Sequence, residues 1–188
     1  MSVKALLRGA RKLVSRQAPL AKGVKISSSA VVTRDSEIGA YSFIGHGAAI
    51  TRATLGRYVS IANNVSIGMG EHELDRVSTS SVFYACTYDE LTKAPCVIGP
   101  DVWIGVDAIV RRGVTIGLGA VIGANSFVNR DVPDFAIAVG SPARVIGHRF
   151  TPAQQDVIRA SRWWEHERAE AEALIAQLEA GFAQESQG

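Results

Sequence analysis

Residues 98–128 read IGPDVWIGVDAIVRRGVTIGLGAVIGANSFV and place an aliphatic residue at every sixth position. The same spacing runs upstream, with one interval of five before Leu55. The complete series is Ile26, Val32, Ile38, Ile44, Ile50, Leu55, Ile61, Ile67, Ile98, Ile104, Val110, Ile116, Ile122 and Val128. A period of six is neither the 3.6 residues of an α-helix nor the alternation of a simple strand. The chain must therefore turn once in every repeat.

Glycine directly follows many of these aliphatic residues, namely Ile38, Ile44, Leu55, Ile67, Ile98, Ile104, Ile116 and Ile122. We interpret each glycine as part of a tight turn, where it tolerates unusual backbone angles. Each repeat is then a short strand with its aliphatic residue inward, and three repeats make one triangular coil. Stacked coils bury a continuous aliphatic column. The pattern predicts an all-β solenoid, the parallel β-helix of hexapeptide repeats.

The six-residue rhythm is lost over residues 68–97, which read GMGEHELDRVSTSSVFYACTYDELTKAPCV and are called the excursion below. A long departure from a compact repeat is typical of a functional segment. Its aromatic residues Phe83, Tyr84 and Tyr88 indicate that it packs against another part of the structure.

The two ends of the chain differ from the solenoid, which we expect to span residues 21–150. Residues 1–20 have an apolar stripe, many basic residues and a late proline, which predicts an amphipathic helix. This helix either caps the open end of the solenoid or makes a peripheral contact with anionic lipid.

The last segment, residues 151–188, is expected to be helical. Thr151 followed by Pro152 is typical of a helix N-cap with proline in the first turn. The helix is expected to reach about Leu178, and the final GFAQESQG is expected to be frayed.

Composition restricts the function classes. The chain has 20 Lys and Arg against 18 Asp and Glu, and this balance does not indicate nucleic-acid binding. No apolar run approaches the roughly 18 residues of a membrane-spanning helix, and the N-terminus lacks the apolar core of a secretory signal. We therefore expect a cytoplasmic protein in which Cys86 and Cys96 are free thiols, with a disulfide as the less favoured alternative.

A filled solenoid leaves chemistry to its outer faces, its excursions and its subunit boundaries. We interpret three histidines as solvated surface residues: His46, His148 and His166. His72 differs because it lies near the start of the excursion and is flanked by Glu71, Glu73 and Asp75. Nearby carboxylates can fix the tautomer of an imidazole and raise its basicity, as a general base requires.

The repeats, the excursion histidine, DVWIG at 101–105 and VGSPARVI at 139–146 together resemble the hexapeptide acyltransferases. The stretch GEHELDRVSTSSVFY at 70–84 is similar to the glycine-x-histidine-x-x-aspartate-x-x-serine-threonine segment of bacterial polysaccharide-type acetyltransferases. The pair Trp163-Trp164 resembles the xenobiotic branch, which acetylates chloramphenicol and streptogramins. The resemblance covers about residues 24–165.

The resemblance implies a left-handed coil and a homotrimer with acetyl-CoA in clefts between subunits, and no metal is expected. By position, His72 matches the base that deprotonates the acceptor. Asp75 is the first choice for orienting its imidazole, and Glu71 or a backbone carbonyl are the alternatives.

Six further positions match cofactor-binding residues of the family. Trp103 matches a tryptophan near the thioester, although it could equally pack against the excursion. The others are Val106 and Ala124 as main-chain contacts of the pantetheine arm, Asn129 and Arg130 near the nucleotide, and Arg144 at the CoA phosphates.

The function expected from the resemblance is acetyl transfer from acetyl-CoA to a hydroxyl or amine of a sugar or polysaccharide precursor. The alternatives are a xenobiotic acetyltransferase and a non-catalytic scaffold. A γ-type carbonic anhydrase shares the solenoid but requires three histidines around zinc. No third histidine follows His46 and His72 at short range.

Overall fold

The computed structural model describes residues 21–185, which form a β-solenoid followed by a hairpin and two helices. The solenoid strands have two residues each: β1 Lys25–Ile26, β2 Val31–Val32, β3 Glu37–Ile38, β4 Phe43–Ile44, β5 Ala49–Ile50, β6 Thr54–Leu55, β7 Ser60–Ile61, β8 Ser66–Ile67, β9 Val97–Ile98, β10 Trp103–Ile104, β11 Ile109–Val110, β12 Thr115–Ile116, β13 Val121–Ile122 and β14 Phe127–Val128. Each strand ends on the aliphatic residue of its repeat, so the six-residue prediction is confirmed.

The strands stack in parallel on three faces. Face A contains β1, β4, β7, β10 and β13, face B contains β2, β5, β8, β11 and β14, and face C contains β3, β6, β9 and β12. On face A, Ile44 pairs with Ile61, Ile61 with Ile104, and Ile104 with Ile122. These isoleucines are fully buried and form part of the continuous core column.

The glycines that follow the aliphatic residues have a different role from the one expected. Of the eight, only Gly68 has a positive φ. The others lie where consecutive coils touch: a Cβ on Gly56 would lie 2.6 Å from the nitrogen of Pro100, and one on Gly105 would lie 2.7 Å from that of Ala124. The interpretation of these glycines as conformationally special turn residues was therefore wrong. They are required because the backbone of the next coil leaves no room for a side chain.

Positive φ occurs instead two residues after those positions. The corners from face C to face A and from face A to face B place φ between 55° and 66° at Tyr41, Gly47, Tyr58, Asn64, Asp101, Asp107, Gly119 and Asn125. Asparagine and aspartate tolerate this left-handed region better than most residues. They also tie coils together, since Asn64 Nδ2 donates to Asp107 Oδ1 at 3.0 Å.

A hairpin and two helices follow the solenoid. Strand β15 Ala136–Val139 extends face A and pairs antiparallel with β16 Arg144–His148. Helix α2, Pro152–Ser161, begins with the predicted Thr151 cap: Gln154 N–H donates to the Thr151 hydroxyl at 3.3 Å, and Thr151 N–H donates to the Gln154 side chain at 3.1 Å.

The single helix expected after Thr151 is instead two. Arg162 adopts a left-handed φ of 47°, a short 3₁₀ turn covers Trp163–Glu165, and helix α3 spans Arg168–Glu185. The expectation of a frayed tail was wrong as far as Glu185, because Phe182 packs against Phe150 with ring centroids 6.3 Å apart.

The predicted N-terminal helix at 1–20 lies outside the described residues. Within 21–185 no helix is both long and apolar enough to cross a membrane.

We predict that Gly56→Ala destabilises the solenoid by about 1–3 kcal/mol, because the new methyl group overlaps the backbone of Gly99 and Pro100. Urea unfolding measures the effect. The matched control is Gly147→Ala, whose methyl group meets no atom within 4 Å and which should stay within about 0.5 kcal/mol of wild type. Equal stability of the two variants would contradict the role assigned to close coil stacking.

Candidate active site

The excursion leaves face B after β8 and returns to the solenoid at β9. It contains a 3₁₀ turn at Ser81–Phe83 and a short helix α1, Thr87–Leu91. Its three aromatic residues behave differently: Tyr84 is buried, Phe83 is mostly exposed, and Tyr88 donates its hydroxyl hydrogen to Asp35 at 2.9 Å. The predicted packing is therefore present at Tyr84 and Tyr88 but not at Phe83.

Both ends of the excursion are held by one buried guanidinium. Arg112 donates to the carbonyl of Gly68 at the start of the excursion and to that of Ala94 near its end, the latter at 3.2 Å. It also donates to the carbonyls of Thr51 and Arg52, which lie two coils before it. This residue was missed from sequence. The only signal was an arginine pair at a corner between two strands, where arginine is usually solvated.

The two cysteines of the excursion are free thiols, as predicted. Cys96 is buried close to Arg112, and burial raises the pKa of its thiol to about 11. Cys86 is exposed and donates to Asp89 at 3.0 Å, and this hydrogen bond raises the pKa of the Cys86 thiol. Neither thiol is therefore suited to act as a nucleophile near neutral pH.

His72 lies on the exposed side of the excursion, and one hydrogen bond determines its tautomer. Its Nδ1 lies 2.5 Å from the carbonyl oxygen of Thr79. Because a carbonyl can only accept, Nδ1 carries the hydrogen, and in the neutral imidazole Nε2 then holds the lone pair. An imidazole with its lone pair on Nε2 is a form that can remove a proton from an acceptor.

The carboxylates around His72 face other partners. Glu71 pairs with Arg111 at 3.2 Å, and Glu73 pairs with Lys93 at 2.5 Å, which lowers the pKa of Glu73. Asp75 is exposed, and among residues 21–185 no hydrogen bond joins it to the imidazole. The contact with His72 is made by the backbone-carbonyl alternative rather than by Asp75.

Three predicted cofactor residues form a strip along one edge of the solenoid. Val106 and Ala124 occupy equivalent corners between faces A and B in consecutive coils, where the N–H of Asn125 donates to the Val106 carbonyl at 2.9 Å. Trp103 lies on face A, in register with Ser60 and Val121, and its side chain is 55% exposed. The strip is open to solvent in a single chain.

The other three cofactor residues lie elsewhere. Asn129 and Arg130 occupy the corner between faces B and C, one coil after Arg111 and Arg112. The Asn129 Oδ1 atom is buried and accepts no hydrogen bond from the part of the chain that is described. Arg144 is exposed at the start of β16, and its guanidinium donates to the carbonyl of the neighbouring Ala143 at 2.8 Å.

One chain does not bring these groups together around His72. The excursion starts at the carboxyl end of the face B strand β8. The strip of Trp103, Val106 and Ala124 borders the amino ends of the face B strands. Across residues 21–185, no hydrogen bond or ring contact joins His72 to the six predicted cofactor residues. Within the same range, no group of three or more His, Cys, Asp or Glu side chains could hold a metal.

The remaining histidines fit their interpretation as surface residues. His46 lies at a corner with its Nδ1 atom 3.2 Å from the hydroxyl of Ser29, and His148 is exposed in β16. His166 lies 3.0 Å from Glu170. The excursion also carries an open depression of about 540 Å³, lined by Asp75, Arg76, Val77, Ser78 and Phe83.

Comparison with known proteins identifies the class. The profile of the Hexapep family, bacterial transferase hexapeptide (six repeats), matches residues 95–130. A probable macrolide acetyltransferase from Lysinibacillus sphaericus is 33% identical over 66% of this chain and 72% of that protein. A chloramphenicol acetyltransferase from Klebsiella aerogenes is 36% identical over 61% of this chain and 60% of that protein.

Solved structures show the same architecture. A hexapeptide-repeat acetyltransferase from Vibrio cholerae O1 biovar eltor, complexed with acetyl coenzyme A, matches with a TM-score of 0.62 and 28% identity over 70% of this chain and 71% of that chain. A maltose O-acetyltransferase from Clostridium difficile 630 matches with a TM-score of 0.53 and 27% identity over 70% of each chain. The solenoid is thus the left-handed parallel β-helix.

This chain belongs to the hexapeptide-repeat acetyltransferase family. It spans 58% to 60% of the length of the curated chloramphenicol acetyltransferases that it matches.

We predict that Arg112→Lys loosens the excursion while the solenoid stays folded. Lysine lacks the planar guanidinium with which Arg112 donates to the carbonyls of both Gly68 and Ala94. Amide hydrogen exchange across residues 69–93 should accelerate about tenfold or more, since losing a charged hydrogen bond costs roughly 1.5–3 kcal/mol. The control is Arg111→Lys, which keeps its charge opposite the exposed Glu71. Unchanged exchange in Arg112→Lys would show that another contact anchors the excursion.

Proposed function

We propose that this protein transfers the acetyl group of acetyl-CoA to a hydroxyl or amine, with His72 as the general base. The observation that carries the proposal is the hydrogen bond from His72 Nδ1 to the Thr79 carbonyl, which leaves the lone pair of the neutral imidazole on Nε2 of an exposed residue. Membership of the acetyltransferase family supports the reaction class, and the Vibrio cholerae relative with bound acetyl coenzyme A supports the donor.

In the proposed reaction, Nε2 of His72 takes the acceptor proton as the acceptor oxygen or nitrogen attacks the thioester carbonyl. The tetrahedral intermediate then collapses, the carbon–sulfur bond breaks, and the imidazolium returns the proton to the departing CoA thiolate. The products are CoA and an acetyl ester or amide. Main-chain N–H groups along the solenoid edge would stabilise the oxyanion, the role usually played by preorganised donors.

We infer a homotrimer in which each site lies between two subunits. One chain separates His72 from the Trp103 strip, so His72 of one subunit would face Val106 and Ala124 of the next. Exposed apolar side chains on faces A and B favour such an interface: Phe43, Trp103, Val31 and Ile109. Asn129, Arg130 and Arg144 would hold the nucleotide end of CoA, and the unpartnered Asn129 oxygen suits a donor on the adenine or ribose.

For the acceptor, we propose a sugar hydroxyl or amine. The depression on the excursion that carries His72 offers the polar groups of Asp75, Arg76 and Ser78 next to the apolar Val77 and Phe83, a mixture suited to the polar edges and apolar faces of a sugar ring. The maltose O-acetyltransferase structure supports this class. A drug hydroxyl is the second candidate, and the chloramphenicol and macrolide relatives favour it.

We predict that His72→Ala lowers kcat by about 10²- to 10⁴-fold, because general-base assistance is worth that much. CoA release is followed with maltose, a galactoside and chloramphenicol as acceptors, so that one assay also separates the two acceptor classes. His148→Ala, another exposed histidine, is the control and should retain full activity. Wild-type turnover in His72→Ala would remove His72 from the mechanism.

We predict that Arg144→Ala weakens acetyl-CoA binding about 10- to 100-fold, the loss expected for a charged hydrogen bond to phosphate. Calorimetric titration of the purified protein measures the dissociation constant. Arg34→Ala, at an exposed corner of an early coil, is the control and should bind like wild type. Absence of binding in the wild-type protein would favour a non-catalytic scaffold instead.

A further inference from the structure

We propose that Tyr84 is the positioning residue for His72, acting on the base through the main chain of Glu73 and through its own ring. The inference rests on the proposed function, since it concerns how the base is held. The excursion has little regular backbone hydrogen bonding, so an exposed histidine on it needs another source of order.

Burial singles out Tyr84 among the aromatic residues of the excursion. Tyr84 is only 7% exposed, whereas the neighbouring Phe83 is 62% exposed. A buried tyrosine usually finds a partner for its hydroxyl. Here the partner is the N–H of Glu73, which donates to the Tyr84 hydroxyl oxygen at 2.9 Å.

This hydrogen bond acts on the residue next to the base. On the other side of His72, the N–H of Glu71 donates to the carbonyl of Leu91 at 2.9 Å. The main chain is therefore anchored both before and after His72. The preceding anchor is a helix-end carbonyl, and the following anchor is the Tyr84 hydroxyl.

The Tyr84 ring also touches the imidazole directly. The two rings meet edge to face, with centroids 5.9 Å apart and an interplanar angle of 81°. This contact restricts rotation of the imidazole about its side-chain bonds. Together with the hydrogen bond to Thr79, it limits the directions in which Nε2 can point.

Arg76 also contacts the ring of this tyrosine. Its guanidinium carbon lies 4.4 Å from the Tyr84 ring centroid, and its Nη2 donates to the Phe83 carbonyl at 2.8 Å. Glu90 and Glu73 lie 3.6 Å and 4.0 Å from the same guanidinium. Tyr84 directly follows the 3₁₀ turn, and its contacts thus join this part of the excursion to the segment that carries His72.

The test compares Tyr84→Phe with Tyr88→Phe by steady-state kinetics. Each variant loses one tyrosine hydroxyl of the excursion, but Tyr88 bonds to Asp35 and not to the His72 segment. Tyr84→Phe should lower kcat about 3- to 10-fold, the value of one hydrogen bond, with the KM for acetyl-CoA unchanged. Tyr84→Leu, which also loses the ring, should lower kcat by about 10²-fold through misplacement of the base. Tyr88→Phe should match wild type.

A double-variant cycle separates positioning from general loss of structure. If Tyr84 acts through His72, Tyr84→Phe should have no further effect on the residual rate of His72→Ala. An equal fall in both backgrounds, or an equal fall in Tyr88→Phe, would overturn the positioning role. Failure of the proposed function has a different signature, because His72→Ala itself would then turn over like wild type.

Discussion

Contact between the backbones of consecutive coils is the constraint on which the rest of the structure depends. Seven of the glycines that follow an aliphatic residue lie where a side chain would strike the next coil, at corners such as Gly56 and Gly105. This approach lets the aliphatic residues stack without gaps, from Ile44 through Ile104 to Ile122. Close packing over the whole column makes the solenoid a stiff wall, because well-packed interiors deform little.

Because the solenoid is a stiff wall with a filled interior, the residues of the candidate site are divided between its outer surface and the excursion. Side chains that face outward at Trp103, Val106 and Ala124 are held in fixed register by the coils. We propose that the base comes from the excursion instead, which Arg112 holds at both ends and in which the Tyr84 hydroxyl accepts a hydrogen bond from the main chain next to His72. The proposed mechanism thus combines a rigid donor surface with a base held on a fastened loop.

The sequence predicted the parts of the fold that repeat or follow local rules. The six-residue spacing located every solenoid strand, and Thr151-Pro152 located the start of α2. Two interpretations failed because they concern contacts between distant residues: the glycines respond to the next coil, and Glu185 remains helical because Phe182 reaches Phe150. For the same reason, the sequence pointed to His72 and to packing by Tyr84, but not to the contacts that Thr79, Tyr84 and Arg112 make, which depend on how the excursion folds.

The most direct test of the account is a crystal structure of the protein with CoA and an unreactive acceptor. The account predicts that the pantetheine arm lies along Val106 and Ala124 of one subunit while Nε2 of His72 from the next faces the acceptor. The acceptor oxygen or nitrogen should lie about 3 Å from both Nε2 and the position of the thioester carbonyl carbon. A complex with CoA on another surface, or with Nε2 directed away from the acceptor, would contradict the assignment of His72 as the base.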